Sequence, residues 1–342
     1  MRKVRCERFP FMRRPPRPAT AFACAVALAA TGCSGGSGST AAVSTPRSTA
    51  SSPGYAPYVS ATEAADTDSA GSPGTYNLAF VLSGGSGCTP KWDGTEAVTD
   101  SAVTSRISAL KKNGGTVRVS FGGSSGKELA ATCDNAAELA AAYAEALDAA
   151  GSTAADFDIE GDELTDSASV GLRSRAIARL QEERPDLDVS FTLPVMPSGL
   201  DAGGLAVLES ANIHDVQVST VNLMTMNYGE SYDGDMGDYA VTSAKAAHAQ
   251  LRKVFGLSDA GAWRGMALTS MIGVDDVPGE TFTLADAGRV RAFAERKGIA
   301  WVSMWSAVRD RPCGGASAAA DASTVCSGVK QEKGAFARAF AG

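Results

Sequence analysis

An α/β fold built as a single (β/α)8 barrel is predicted by three features of this 342-residue sequence. Eight apolar, β-like runs alternate with longer amphipathic stretches over about 290 residues, the pattern of a sheet wrapped in helices. Most of the runs are near-continuous series of β-branched and aromatic residues, as expected of parallel strands covered on both faces. One run, Ala155-Asp156-Phe157-Asp158-Ile159-Glu160, carries an acid at every second position.

The segment before the fold reads as an export signal. Arg2, Lys3, Arg5, Arg8, Arg13, Arg14 and Arg17 precede an apolar run over 21–30 and then Thr31-Gly32-Cys33, the order of charged, apolar and small residues found at a cleavage site. The run is too short to span a bilayer. Cleavage before Cys33 would resemble lipoprotein processing, with Cys33 acylated and the chain tethered to a membrane, although Ala30 stands where bacterial lipoboxes more often carry Leu. The alternative is a secretory signal cut further along. Arg13-Arg14 fits a twin-arginine signal poorly. Met12 competes with Met1 as the start, because the segment from Met12 alone makes a well-proportioned signal. Residues 33–54, rich in Ser, Gly and Thr with scattered Pro, form an expected flexible linker, and 55–342 the catalytic domain. An extracellular or cell-surface monomer follows.

Removing residues 1–32 takes seven basic residues and Glu7 from the 31 basic and 38 acidic, which leaves a formal charge near −13. Nucleic acid is not an expected partner, since phosphate binding needs a positive surface. With Cys6 and Cys24 removed and Cys33 set aside, Cys88, Cys133, Cys313 and Cys326 remain. An even set in an exported chain is a disulfide candidate. Of three pairings, Cys88–Cys133 with Cys313–Cys326 is favoured, because the second pair closes a local Gly/Ala/Ser loop. No close Cys pair or adjacent His supports zinc. His214 and His248 are the two histidines, and neither has an evident nucleophile partner, which disfavours Ser–His–Asp chemistry.

Strands are expected over 56–60, 76–82, 116–121, 155–160, 188–193, 220–227, 266–272 and 300–306. The first is short and its crossover, 61–75, is loop-like. A helix over 95–112 places Val98, Val103, Ile107 and Leu110 at helical spacing and stops at Gly114-Gly115. Helix 136–150 carries Leu139, Tyr143 and Leu147 on one stripe, and helix 167–183 ends before Pro185. Further helices are expected over 200–211, 239–255, 284–297 and 333–340. The rival fold, an open doubly wound sheet, would need a Gly-rich phosphate turn opening a helix. Its candidate, Ser83-Gly84-Gly85-Ser86-Gly87, runs into Cys88-Thr89-Pro90 and reads as a loop.

Alternation puts Asp156, Asp158 and Glu160 on one face of their strand and Phe157 and Ile159 on the other. Like charges so close push at least one pKa up, which supplies the protonated carboxyl that general-acid chemistry needs. A solvated edge would rarely flank its acids with Phe and Ile, and the spacing of a calcium loop is absent. In a barrel, the site gathers at the C-terminal strand ends. Those ends supply Phe80, Ser120-Phe121-Gly122-Gly123, Met224 to Tyr228, Met271 and Trp305. Trp and Tyr there suit the apolar faces of sugar rings, and of Trp301 and Trp305 one is expected in the core.

Together these pieces resemble the chitinase family, glycoside hydrolase family 18. Its fourth-strand signature reads D-x-x-D-x-D-x-E, and Asp156, Asp158 and Glu160 fill the last three acidic places. Ser120-Phe121-Gly122-Gly123 is similar to its S-x-G-G, Met226-Asn227-Tyr228 to its M-x-Y, and Trp305 to its eighth-strand Trp. The likeness is to secreted actinobacterial members without an inserted domain. Thr153 stands at the first signature Asp, and Gly229 follows Tyr228 where many members have Asp, which makes Asn227 a candidate replacement. The resemblance implies endo-hydrolysis of β-1,4-linked N-acetylglucosamine polymers without metal or organic cofactor. Glu160 would be the acid/base, Asp158 the partner of the substrate's acetamido group and Asp156 the residue that tunes it. Tyr228 would donate to the acetamido oxygen, and Trp305, Met226, Asn227, Ser120 and Phe80 would bind substrate. An endo-β-N-acetylglucosaminidase acting on N-glycans and a non-catalytic chitin-binding lectin are the alternatives.

Overall fold

The computed structural model describes residues 52–85, 87–112, 114–314 and 322–342. The leader, its start site, Cys33 and the linker up to residue 51 lie outside the described residues. Among the described residues, eight strands run parallel. They are β1, in two pieces Gly54–Tyr55 and Tyr58–Ser60, β2 (Thr75–Ser83), β3 (Thr116–Gly122), β4 (Ala154–Asp158), β5 (Asp188–Pro194), β6 (Thr220–Met224), β7 (Met266–Met271) and β8 (Trp301–Trp305). From β2 to β8 each strand pairs in parallel with the next in the chain. The first piece of β1 pairs with β8 and the second with β2, so one short segment bonds to both ends of the series. The break falls at Ala56-Pro57, where Pro lacks an N–H for the ladder. The Pro57 carbonyl still accepts from Asn77 N at 3.0 Å, and Ala56 N donates to Val302 O at 3.0 Å.

Helices cover the outside: α1 (Ser101–Lys111), α2 (Ala136–Ala150), α3 (Ser167–Glu183), α4 (Ala202–Ile213), α5 (Met236–Phe255), α6 (Asp259–Arg264), α7 (Leu284–Lys297) and α8 (Ala335–Ala341). Helix α1 starts at Ser101 rather than at residue 95, because the Asp100 carboxylate accepts from Ala102 N and Val103 N. Such a cap fixes a helix start more firmly than apolar spacing does. Glu96–Ala97 instead pairs antiparallel with Pro90–Trp92, itself laid against β2. A hairpin therefore follows the Gly-rich run, where a phosphate-binding fold would have a helix. Both favoured disulfides, Cys88–Cys133 and Cys313–Cys326, are formed.

The two faces of the sheet differ sharply. Phe121, Phe157 and Phe191 stand in register on β3, β4 and β5 and stack at 5.4 and 5.6 Å, with Tyr143 of α2 edge-on to the first two. That layer fills the space under the helices. The alternating residues Ser120, Asp156 and Ser190 are likewise in register and form a polar inner rung. Between the aromatic layer and the helices lies a buried ion pair. Glu128 accepts from Arg173 Nη2 at 2.7 Å, from Tyr143 OH at 2.9 Å and from Ala130 N at 3.0 Å, and Glu128 and Arg173 are 4% and 1% exposed. Removing one partner of such a pair leaves an uncompensated buried charge. Glu128→Gln is expected to lower unfolding stability by about 3–5 kcal/mol, read as a drop in the urea midpoint at constant slope.

Candidate active site

Asp156 sits at the centre of the inner face and is 0% exposed. Its Oδ1 accepts from Ser190 Oγ at 2.7 Å and Thr192 Oγ1 at 2.8 Å. Its Oδ2 accepts from Ser120 Oγ at 2.7 Å and Tyr58 OH at 3.0 Å. Four hydroxyls from three other strands, β1, β3 and β5, thus satisfy a buried acceptor that would otherwise be too costly to bury. Ser120, expected against substrate, is instead fully buried beneath the site and spends its proton on Asp156.

The strand assignment ends at Asp158, two residues short of the expected end, yet Glu160 keeps an extended backbone before the 3-10 turn Gly161–Leu164. Ile159 N still donates to Thr192 O at 3.0 Å, so alternation carries Glu160 to the face of Asp156 and Asp158. Asp158 is 4% exposed, and its Oδ1 has no hydrogen-bond partner. Burial, then the charges of Glu160 and Asp156, push its pKa well above the ordinary carboxylate range. Glu160 is pushed up to about 7 by burial and by the charge of Asp276. The two glycines after Phe121 make room for these acids. A Cβ on Gly122 would lie 2.1 Å from the Asp158 carbonyl oxygen and one on Gly123 2.9 Å from the Phe80 ring, and both residues have positive φ, a region that suits glycine.

A cavity of about 470 Å³ opens over the strand ends. Phe80 and Trp305 line it, stacked at 5.5 Å and 23°, with Tyr58 edge-on to Trp305 at 5.8 Å. Asp158, Glu160, Asp201 and Asp276 supply its acidic groups and Asn227 an amide, and Met196, Met224, Met226 and Met271 are part of its apolar wall. None of the described residues that line it is Lys, Arg or His.

The structure brings Glu160, Asp158, Trp305, Met226, Asn227 and Phe80 together, and seats Asp156 and Ser120 beneath them. Tyr228 does not join them. Asn227 has φ 54°, which ends the alternation of β6 and turns Tyr228 into the layer under α5. There Tyr228 is 4% exposed, packs 5.8 Å from both Tyr232 and Tyr239, and accepts from Ser243 Oγ at 3.4 Å. Trp301 is the core member of its pair, with the Arg118 guanidinium 4.8 Å from its ring centroid. Sequence reading missed Tyr58, Asp201, Asp275, Asp276 and Glu280. Asp201 was legible as the cap of α4, where it accepts from Gly204 N at 2.8 Å; the loop acids had no periodic signal. Asn227 Nδ2 donates to Asp275 Oδ1 at 2.8 Å and also to Asp276 Oδ1. Gly229 N donates to Glu280 Oε1 at 2.7 Å. Arg309, fully buried and lowered to about 10 by burial, donates to the carbonyls of Trp305, Val274 and Ala322. It thereby locks the end of β8 to the loop that carries these acids.

Parallel strands thus end on a cavity that combines a high-pKa carboxyl with an aromatic floor. No protein-family model matches the chain, but relatives and solved structures do. It is 36% identical over 279 residues to the "probable bifunctional chitinase/lysozyme" of Escherichia coli, an alignment of 76% of this chain and 31% of that protein. It is 35% identical over 251 residues to endochitinase 11 of Metarhizium anisopliae, covering 69% of this chain and 48% of that protein. The chain thus spans less than half the length of either curated relative. The catalytic domain of a hyperthermophilic chitinase from Pyrococcus furiosus superposes with a TM-score of 0.73 at 29% identity, over 84% of this chain and 93% of that one. The domain is chitinase-like in sequence and fold: its relatives and structural neighbours are chitinases of glycoside hydrolase family 18.

Two outcomes follow from the site. Gly122→Ala should cost at least about 2 kcal/mol, because the new Cβ must push β4 away, and should lower any activity carried by Asp158 and Glu160; chemical denaturation and turnover of the one variant check both. Glu160 and Asp275, each pushed up to about 7, keep protons in the folded state that the unfolded chain has released. The folded state therefore binds more protons between roughly pH 4.5 and 7, so stability falls as pH rises through that window. Melting temperature against pH should show the fall, shallower in Glu160→Gln.

Proposed function

We propose that this domain hydrolyses β-1,4-linked N-acetylglucosamine polymers from within the chain, with retention assisted by the substrate. The observation that carries the reading is Glu160, a carboxyl pushed up to about 7 in a cavity floored by Phe80 and Trp305. An acid with a pKa near the working pH holds its proton yet can still give it away. Glu160 protonates the glycosidic oxygen as the bond to the anomeric carbon breaks. The 2-acetamido carbonyl oxygen of the same sugar attacks that carbon and forms an oxazolinium ion, and Asp158 accepts the acetamido N–H and stabilises the cation. Glu160, now a carboxylate, takes a proton from the water that opens the ring. Family 18 is an exception to the scheme of two catalytic carboxylates.

The closed (β/α)8 barrel belongs to this reading, supported by the pairing of one segment, β1, with both β2 and β8. Chitin or chito-oligosaccharides are the proposed substrates. A solved complex of the Pyrococcus furiosus chitinase domain contains chito-oligosaccharides. Export to the cell surface or medium, with Cys33 as the acylated residue, is supported by the order of charges and apolar residues in the leader. Tyr228 does not line the cavity, so the contact of the acetamido group in this reading is its N–H, accepted by Asp158.

Glu160→Gln should lower turnover of chito-oligosaccharides by about 10²–10⁴-fold while leaving their binding measurable by calorimetry; wild-type turnover in that variant would overturn the assignment. In the wild type, kcat/KM should fall about tenfold per unit above pH 7, because the acid must carry its proton. Binding without hydrolysis would favour a lectin, and release of glycans from glycoproteins in preference to cleavage of colloidal chitin would favour the endo-β-N-acetylglucosaminidase.

A further inference from the structure

The loop after β7 contributes groups to the cavity that the mechanism above does not use. Asp276 lines the same cavity as Glu160, and it is not free to swing. Its Oδ1 accepts from Asn227 Nδ2, whose other acceptor is Asp275 Oδ1 at 2.8 Å. Asp275 is 8% exposed and also accepts from Val277 N at 2.9 Å. Burial first, and its side-chain hydrogen bond to Asp276 second, push Asp275 up to about 7. The loop is anchored from below by Arg309 on the Val274 carbonyl, and from the side by Gly229 N on Glu280. One amide thus bridges the end of β6 to two consecutive acids beyond β7.

We propose that Asp276 is a positioning residue for proton donation: clamped by Asn227 and Asp275 in the wall of the cavity, its carboxylate keeps the proton on Glu160 until the substrate takes it. The inference rests on Glu160 being the acid of a glycoside hydrolase. The groups that face Glu160 are consistent with it. From its own strand comes Asp158, from the start of α4 Asp201, and from the β7 loop Asp276, with Asp275 and Glu280 behind it. All are acids, and no described cation lines the cavity. Arg309, the guanidinium on which Asp275 and Asp276 act, is fully buried and committed to carbonyl oxygens. Asp276, exposed at the rim, thus presents a like charge to Glu160 with no described cation lining the cavity between them, and a like charge favours the protonated form.

The clamp explains a second feature. Asn227 is a neutral donor between two acceptors. An Asp at 227 would repel Asp275 and Asp276, whereas Asn227 holds them together and tolerates the positive φ of 54° found there.

The test is the pH profile of kcat/KM on a soluble chito-oligosaccharide, each variant normalised to its own maximum. Asp276→Asn should move the alkaline limb to lower pH by roughly half to one unit, and Asp276→Glu should restore it. Asn227→Gly, which keeps the backbone conformation but removes the bridging amide, should move the limb in the same direction. An alkaline limb at the wild-type position in Asp276→Asn overturns the inference, as does a loss of activity in Asn227→Gly that is uniform across pH. Failure of the underlying reading is distinguishable, because it would appear as wild-type protein without turnover at any pH, or as Glu160→Gln with wild-type turnover.

Discussion

Everything around the site depends on one buried carboxylate. Among the described residues no Lys, Arg or His bonds to the buried Asp156 carboxyl, and what makes its burial tolerable is four hydroxyl donors arriving from β1, β3 and β5. Each donor is bound to a particular register. Ser120 opposes Asp156 on β3 and Ser190 opposes it on β5; a slip of one residue on either strand would turn its hydroxyl outward. The cost of burying the charge unsatisfied therefore acts as a check on the alignment of the strands. Tyr58 brings in the segment that bonds to both β8 and β2, so the same carboxylate also ties down that segment.

The next rung inherits that order. Asp158 follows Asp156 on the same face, opposite Gly122 and Thr192. Thr192 Oγ1 accepts from Asn222 Nδ2 at 2.9 Å, and Asn222 Oδ1 accepts from Thr269 Oγ1 at 2.9 Å, which extends the polar ladder through β5, β6 and β7. Above this ladder the charges are no longer matched. Asp158 has an oxygen without a partner, and Glu160 shares the cavity with other acids. Along this strand the lower acid is fully satisfied and the upper one is not, so the unmet hydrogen-bonding capacity of Asp158 faces the cavity.

How much of this was legible in the sequence follows from what carries a periodic signal. Alternation over 155–160 is local and repeats every second residue, so the acids, their shared face and the Phe and Ile behind them could be read directly. The eight apolar runs were legible for the same reason. Strand ends were not, because they depend on partners far away in the chain. Glu160 continues in extended form past the assigned end of β4, whereas β6 stops at Met224 and bends at Asn227. That single positive φ moved Tyr228 from the expected face to the core, and nothing in Met226-Asn227-Tyr228 announces it. Ser120 was found but misplaced by one layer, since a strand pattern gives the face and not the depth. Asp275, Asp276 and Glu280 lie on a loop without period, and only the fold shows that Asn227 gathers two of them.

The placement of the acids also bears on which atom attacks the sugar. A double-displacement enzyme needs a second carboxylate exposed to the anomeric carbon from the face opposite the acid. Asp158 is two residues from Glu160 on the same face of the same chain segment and is 4% exposed, so it lines the cavity beside the acid rather than across from it. Asp276 lines the cavity but is committed to Asn227, and Asp201 to the first turn of α4. A buried carboxyl with a raised pKa and an oxygen still without a partner is better suited to receiving an N–H from the substrate than to forming an ester with it. In the proposed reaction a nucleophile carried by the substrate would remove the need for one from the protein, and it would leave Asp158 to orient the acetamido group that attacks.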